Sequence, residues 1–134
     1  MAKSFSATVS GWASETEKRT EAVFKQSAQD VIEDAQLPVA KGGRMRVDTG
    51  FLRNSHVSGL NGSTALTGAD SYVLTIAQAE LGDVITGGWT ADYAIPREFG
   101  ARGQPPDFFM RGAAQKWKSI VEANAAKAKA SSGQ

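Results

Sequence analysis

The chain has no cysteine, a single histidine (His56) and only four prolines in 134 residues. Without cysteine there can be no disulfide, no thiolate zinc site and no thiol nucleophile, a composition that fits a reducing compartment. With one histidine no imidazole pair can hold a metal. A serine–histidine–aspartate arrangement would have His56 as its sole base, and no motif singles out the serine. Long apolar runs are also missing: nothing approaches the ~20 residues of a membrane span, and the opening MAKSFSATVSGWASETEK lacks an apolar run of signal-peptide length. The expectation is a soluble, unsecreted protein.

What is present describes an ordinary folded domain. Hydrophobic residues make up 41% and charged residues 22%, enough apolar surface for one modest core. Net charge is only +1, but it is unevenly spread. Residues 1–37 carry four basic and six acidic groups and residues 38–60 four and one. Residues 61–93 carry four acidic and no basic groups, and 94–134 seven basic and three acidic. Blocks of alternating sign suit a protein whose faces meet copies of itself or stacked neighbours, although chance clustering on a solvated surface gives the same pattern.

Residues 10–37 read as a long helix, because Val9, Trp12, Thr16 and Val23, followed by Phe24, Ala28, Val31 and Ala35, recur every three or four positions. Ser14 and Glu17 have the spacing of a capping box, with an apolar stripe that already extends upstream of them. Glu21 and Lys25 form a favourable i,i+4 pair, and Leu37-Pro38 closes the helix. Residues 39–47, VAKGGRMRV, read as a flexible basic loop. Four strands are expected at 56–60, 63–67, 72–77 and 83–87, with Asn61-Gly62 as a two-residue hairpin turn. Asp107 is placed to N-cap a final helix over 107–128 with Phe109, Ala113, Trp117, Ile120 and Ala128 on its apolar stripe, leaving 129–134 as a frayed tail. The fold class is α+β, a single domain with a long N-terminal helix, a small mainly antiparallel sheet and a C-terminal helix packed on it.

The triplet Asp48-Thr49-Gly50 is the active-site tripeptide of aspartic proteases, and a chain of this size would work as a homodimer with one carboxyl from each copy. Its surroundings argue otherwise: Asp48 follows the charged Arg44-Met45-Arg46 instead of an apolar strand, and Phe51-Leu52-Arg53 replaces the small residues of such a loop. The simpler reading has Asp48 or Thr49 N-capping a short helix with Leu52 turned inward. Asp30, Glu33 and Asp34 share one helical face, which usually means a solvated face, not a cation site. Gly42-Gly43-Arg44 is not a phosphate loop, and no cofactor set is visible. Lys41, Arg44, Arg46 and Arg53 suit diffuse contact with a nucleic-acid backbone but lack the aromatics of a base-reading surface.

Three ordered blocks resemble the neck and tail-completion proteins of tailed bacteriophages. The first holds Asp48, Thr49, Gly50, Leu52 and Ser55; the second Tyr93, Ala94, Glu98, Phe99 and Gly100; the third Pro106, Phe108 and Phe109. Two departures accompany the match. The segment VAKGGRMR separates Pro38 from the first block, where the family has its proline adjacent, and Pro96 lies inside the second, which limits helix there to a single turn. The resemblance implies a non-enzymatic virion protein in the head-tail neck, present in the host cytoplasm during assembly. It would form a six- or twelve-fold ring between head-closure or connector and tail-terminator rings, with DNA passing through the lumen and no cofactor or membrane involved. A tail terminator or another minor tail ring would share this size and style. On this reading Asp48, Tyr93 and Glu98 hold turns in place, Lys41, Arg44, Arg46 and Arg53 face the lumen or an adjacent ring, and Gly87-Gly88-Trp89 with the aromatics near Phe108 meet partners.

Overall fold

The structure, a computed structural model, describes residues 5–46, 50–101 and 103–131. The expectations for Asp48 and Thr49 lie outside the described residues. Helix α1 (Phe5–Gln36) is followed by a 3-10 turn (Val39–Lys41), α2 (Phe51–Asn54), β1 (His56–Leu60), β2 (Leu66–Thr67), α3 (Ser71–Gln78), β3 (Ile85–Trp89), α4 (Ala94–Phe99), α5 (Phe109–Ala114) and α6 (Trp117–Ser131). The architecture is mixed helix and sheet. Among the described residues no helix is long and apolar enough to cross a membrane.

The 32 residues of α1 span about 48 Å. Ser14 and Glu17 fall well inside this helix, so their capping-box spacing caps nothing. Its end is where Leu37-Pro38 predicts, and Lys25 pairs with Glu21 at 3.4 Å. The segment expected as a flexible basic loop is tied to the body instead. Pro38 bridges to Met45, Met45 is fully buried in the core, and the 3-10 turn closes on Gly42 in the left-handed conformation.

The sheet has three strands in the order β2-β1-β3, all antiparallel, with His56 opposite Trp89 and Leu60 opposite Ile85. Asn61 and Gly62 both have positive φ, the requirement of the mirror-image hairpin turn, and Ser63 N–H donates to the Leu60 carbonyl at 3.1 Å. The chain then bulges: pairing resumes only at Ser58 with Leu66, which shortens the strand expected over 63–67 to two residues. The bulge crosses Gly59, where a Cβ would stand 2.2 Å from the Ser63 carbonyl oxygen, so only glycine fits.

The segment 72–77, expected as a strand, is helix α3. Its buried positions are Ser71, Tyr72, Thr75 and Ile76, pairs one turn apart, while Val73 and Leu74 are exposed. Tyr72 and Ile76 pack with Ala28 and Ile32 of α1 and Ile85 of β3 in one core cluster. The strand expected at 83–87 is shifted to Ile85–Trp89. The C-terminal helix is split by a tightened turn at Gln115-Lys116, where Lys116 N–H reaches back three residues to Ala113. In α5, Phe109 packs edge-on against Trp89 of the sheet at 5.1 Å. α6 lies along α1, with Asn124 donating to Ser27 and Asp30 and Lys116 pairing with Asp34. It runs a few residues past the expected end at 128.

Candidate functional site

The described parts of the three sequence blocks converge on one core of Met45, Leu52, Ala91, Ala94 and Phe109, with Trp89 and Tyr93 packed against it. Gly50, in the left-handed region, starts the short helix that turns Leu52 inward. Ser55 is the latch to the second block: its hydroxyl donates to the Leu52 carbonyl at 2.7 Å and accepts from Ala91 N–H at 3.1 Å. The Ser55 carbonyl accepts from both the N–H and the hydroxyl of Thr90. Tyr93 lies 6.0 Å from the Phe51 ring, and the Arg97 guanidinium sits over its face.

Glu98 joins the second block to the third. It is 2% exposed, and its two carboxylate oxygens accept the backbone N–H groups of Met110 and Arg111, each at 2.9 Å, and the Arg111 Nε–H at 2.9 Å. Those N–H groups are unsatisfied donors of the first turn of α5, so Glu98 is the cap of that helix. Asp107, expected in that role, makes none of these bonds; Phe108 occupies the N-cap position in a left-handed conformation. Asp107 instead holds Arg46 through its Nε–H and backbone N–H, while the other nitrogens of Arg46 reach Gln104 and the Pro105 carbonyl. The Arg111 guanidinium is sandwiched between Phe99 and Phe108, 4.1 and 4.2 Å from their rings.

Pro96 does not restrict the second block to one turn. It is the third residue of the six-residue α4, within the first turn, where a missing N–H costs nothing. Gly100 has positive φ and sits against Gln104 and Pro106, turning the chain away from α4. Phe109 is buried; Phe99 and Ile95 are exposed.

The basic residues do not form one cluster. Arg46 is engaged within the chain, and Arg44 is exposed but lies across α5, close enough that a Cβ on Gly112 would meet its Nη1 at 2.9 Å. Lys41 is exposed. Arg53 is half-buried, with its Nε lacking a partner among the described residues. The acidic face of α1 is occupied too: Asp30 accepts from Gln26 and Asn124, Glu33 from Gln29, and Asp34 from Lys116. Among the described residues no group of three or more metal-ligating side chains comes together.

Neither the family models, nor the curated proteins, nor the solved structures contain a match to this chain.

One feature of the structure was not legible beforehand. An open apolar groove of about 500 Å³ runs between α1, β3 and the α5–α6 junction. Phe24, Ala28, Val31 and Ile32 form one wall, Ile85 and Trp89 the floor, and Met110 and Trp117 the other wall. Asp83 is the one charged residue at its margin. Trp89, expected at a partner contact, is half-buried in this floor, with its indole N–H donating to Gln36 at 3.1 Å. His56 lies at the base, 1% exposed, its Nδ1 3.0 Å from the Ser71 hydroxyl and its ring 4.9 Å from Trp89. Burial pushes the His56 pKa below the usual imidazole value, which favours the neutral ring. Burial, then Glu33 and Asp70, push the Tyr72 hydroxyl up, opposed by Arg53. The apolar stripe of α1 was visible in the sequence. The groove's other wall straddles the α5–α6 junction at Gln115-Lys116, which carries no glycine or proline to announce it.

Proposed function

We propose that this protein is a structural component of a tailed-phage virion, a ring in the neck that joins head or connector to tail and lets DNA pass. The observation that carries the reading is the joint role of the resembling blocks. Ser55, Ala94, Glu98 and Phe109, brought from positions up to 54 residues apart, latch, cap and fill one framework, which supports a structural role for the resembling blocks. The alternating charge blocks and the open apolar groove supply surfaces for neighbouring copies and adjacent rings.

Cryo-electron microscopy of particles carrying the protein tests this. The expected result is a ring at the head-tail junction into which the chain can be traced. A compact two-fold dimer with paired Asp48 residues, peptide cleavage that Asp48→Asn abolishes, and no ring in the particle would overturn it in favour of a homodimeric aspartic protease.

A further inference from the structure

The N-terminal part of α1 and the apolar groove are both incomplete surfaces, and they match. From Ser10 to Lys18 the helix is exposed at every position, with Trp12 at 64%. Among the described residues, the hollow between α1 and α6 near the end of α6 is lined by Ala128 and Lys129 with Thr16 and Thr20, and Trp12 is not part of it. The sequence from Ser4 to Ser14 has no charged residue, and the groove has only Asp83 at its margin. The uncharged helical arm from Ser10 to Ser14, which presents Trp12, therefore faces water, as does a largely apolar, tryptophan-floored groove in the same molecule. Exposed aromatics beside a concave apolar surface are the composition of an interface anchor and its pocket.

The arm cannot fill the groove of its own chain. Phe24, Ala28, Val31 and Ile32, which wall the groove, belong to the same continuous helix as Trp12. Twelve residues of helix place Trp12 about 18 Å along the axis from Phe24, and a straight helix does not fold back on its own face. We infer that the α1 arm of one copy docks, through Trp12, in the apolar groove of a second copy. Different patches meet on the two copies, so the contact is head-to-tail, the kind that propagates into a closed ring when its rotation closes. It uses the helix-in-groove mode of recognition. The inference deepens the ring reading and rests on it for closure alone; the pairwise contact stands on the arm and the groove.

The absence of cysteine makes a direct test available. Ala13→Cys and Val84→Cys proteins, which both keep the Trp12 anchor, are purified separately, mixed under mild oxidation and analysed on non-reducing gels. Ala13 is exposed beside Trp12 and Val84 is 61% exposed where it lines the groove, so neither replacement disturbs the core. The expected result is a covalent heterodimer in clear excess over the product from Ala13→Cys mixed with Ser119→Cys, an exposed site outside the groove. Equal yields from the two mixtures, or a dominant covalent homodimer of the Ala13→Cys protein from helix-to-helix pairing, would overturn the assignment. In sedimentation velocity, Trp12→Glu should weaken association about 30-fold or more, the loss of a buried tryptophan anchor, with an unchanged circular dichroism spectrum. A cross-link without neck density would keep the contact and remove the neck reading; neck density without the cross-link would do the reverse.

Discussion

Single residues hold this fold at points where no local pattern marks them. Glu98 is the clearest case, because its carboxylate accepts three bonds from a helix that begins eleven residues later in the chain. Removing it leaves two first-turn N–H donors and the Arg111 guanidinium without their acceptor. Glu98→Ala should therefore cost about 2–4 kcal/mol in urea unfolding, whereas Asp107→Ala, which leaves the α5 cap intact, should cost less. The sequence pointed to Asp107 as the cap because it is the capping-type residue nearest the expected helix start, and local spacing is all that a cap rule reads. A carboxylate brought in by the tertiary fold is invisible to it. His56 gives a second prediction at this scale. Its pKa is lowered in the fold by burial, so below its ordinary value of 6.5 the unfolded chain binds a proton that the folded chain does not. Stability should fall as pH drops below 6.5. The loss continues down to the folded-state value and is absent above neutrality. As His56 is the sole histidine, His56→Gln should flatten this part of a pH series of unfolding free energies.

At the level of elements, legibility followed the strength of the periodic signal. α1 was readable because its stripe repeats over many turns and a proline ends it. The hairpin at Asn61-Gly62 was readable because its turn chemistry is specific to positive φ. The segment 71–78 was not, because Tyr72, Leu74 and Ile76 alternate with β-branched neighbours in a run too short for period alone to decide. The two readings bury different residues. In a strand, Leu74 shares a face with Tyr72 and Ile76; in α3 it is 52% exposed while Ile76 is 5% exposed. Leu74→Lys should change the melting free energy by less than about 0.5 kcal/mol, as a surface substitution does. Ile76→Ala, which empties the contact with Ala28, should cost about 2–4 kcal/mol. A large loss from Leu74→Lys in urea titration would return this segment to a strand. The basic segment 39–46 misled for a different reason: Met45 is the residue that anchors it, and a single apolar residue between Arg44 and Arg46 leaves no period to detect.

For the whole molecule, the consequence of that anchoring is a division of labour among the basic residues. Arg46 satisfies Asp107, a carboxylate with almost no exposure, so its charge is spent inside the chain and its reversal would break the fold before it tested any partner. Lys41 and Arg44 remain exposed on the same segment and carry the surface charge that, in the proposed neck role, would meet an adjacent ring or passing DNA. Charge contacts at a rim act on encounter and salt dependence more than on the final packing. The double substitution Lys41→Glu with Arg44→Glu should therefore leave the folded state intact by circular dichroism and thermal melting. On the proposed neck reading it should lower head-to-tail joining and infectious titre about tenfold or more, the change that ~1.4 kcal/mol in contact energy produces, and the remaining joining should respond less to added salt. An unchanged titre from the correctly folded double variant would remove the basic segment from assembly. The arm of α1 and the apolar groove would then be left as the surfaces that carry the proposed ring.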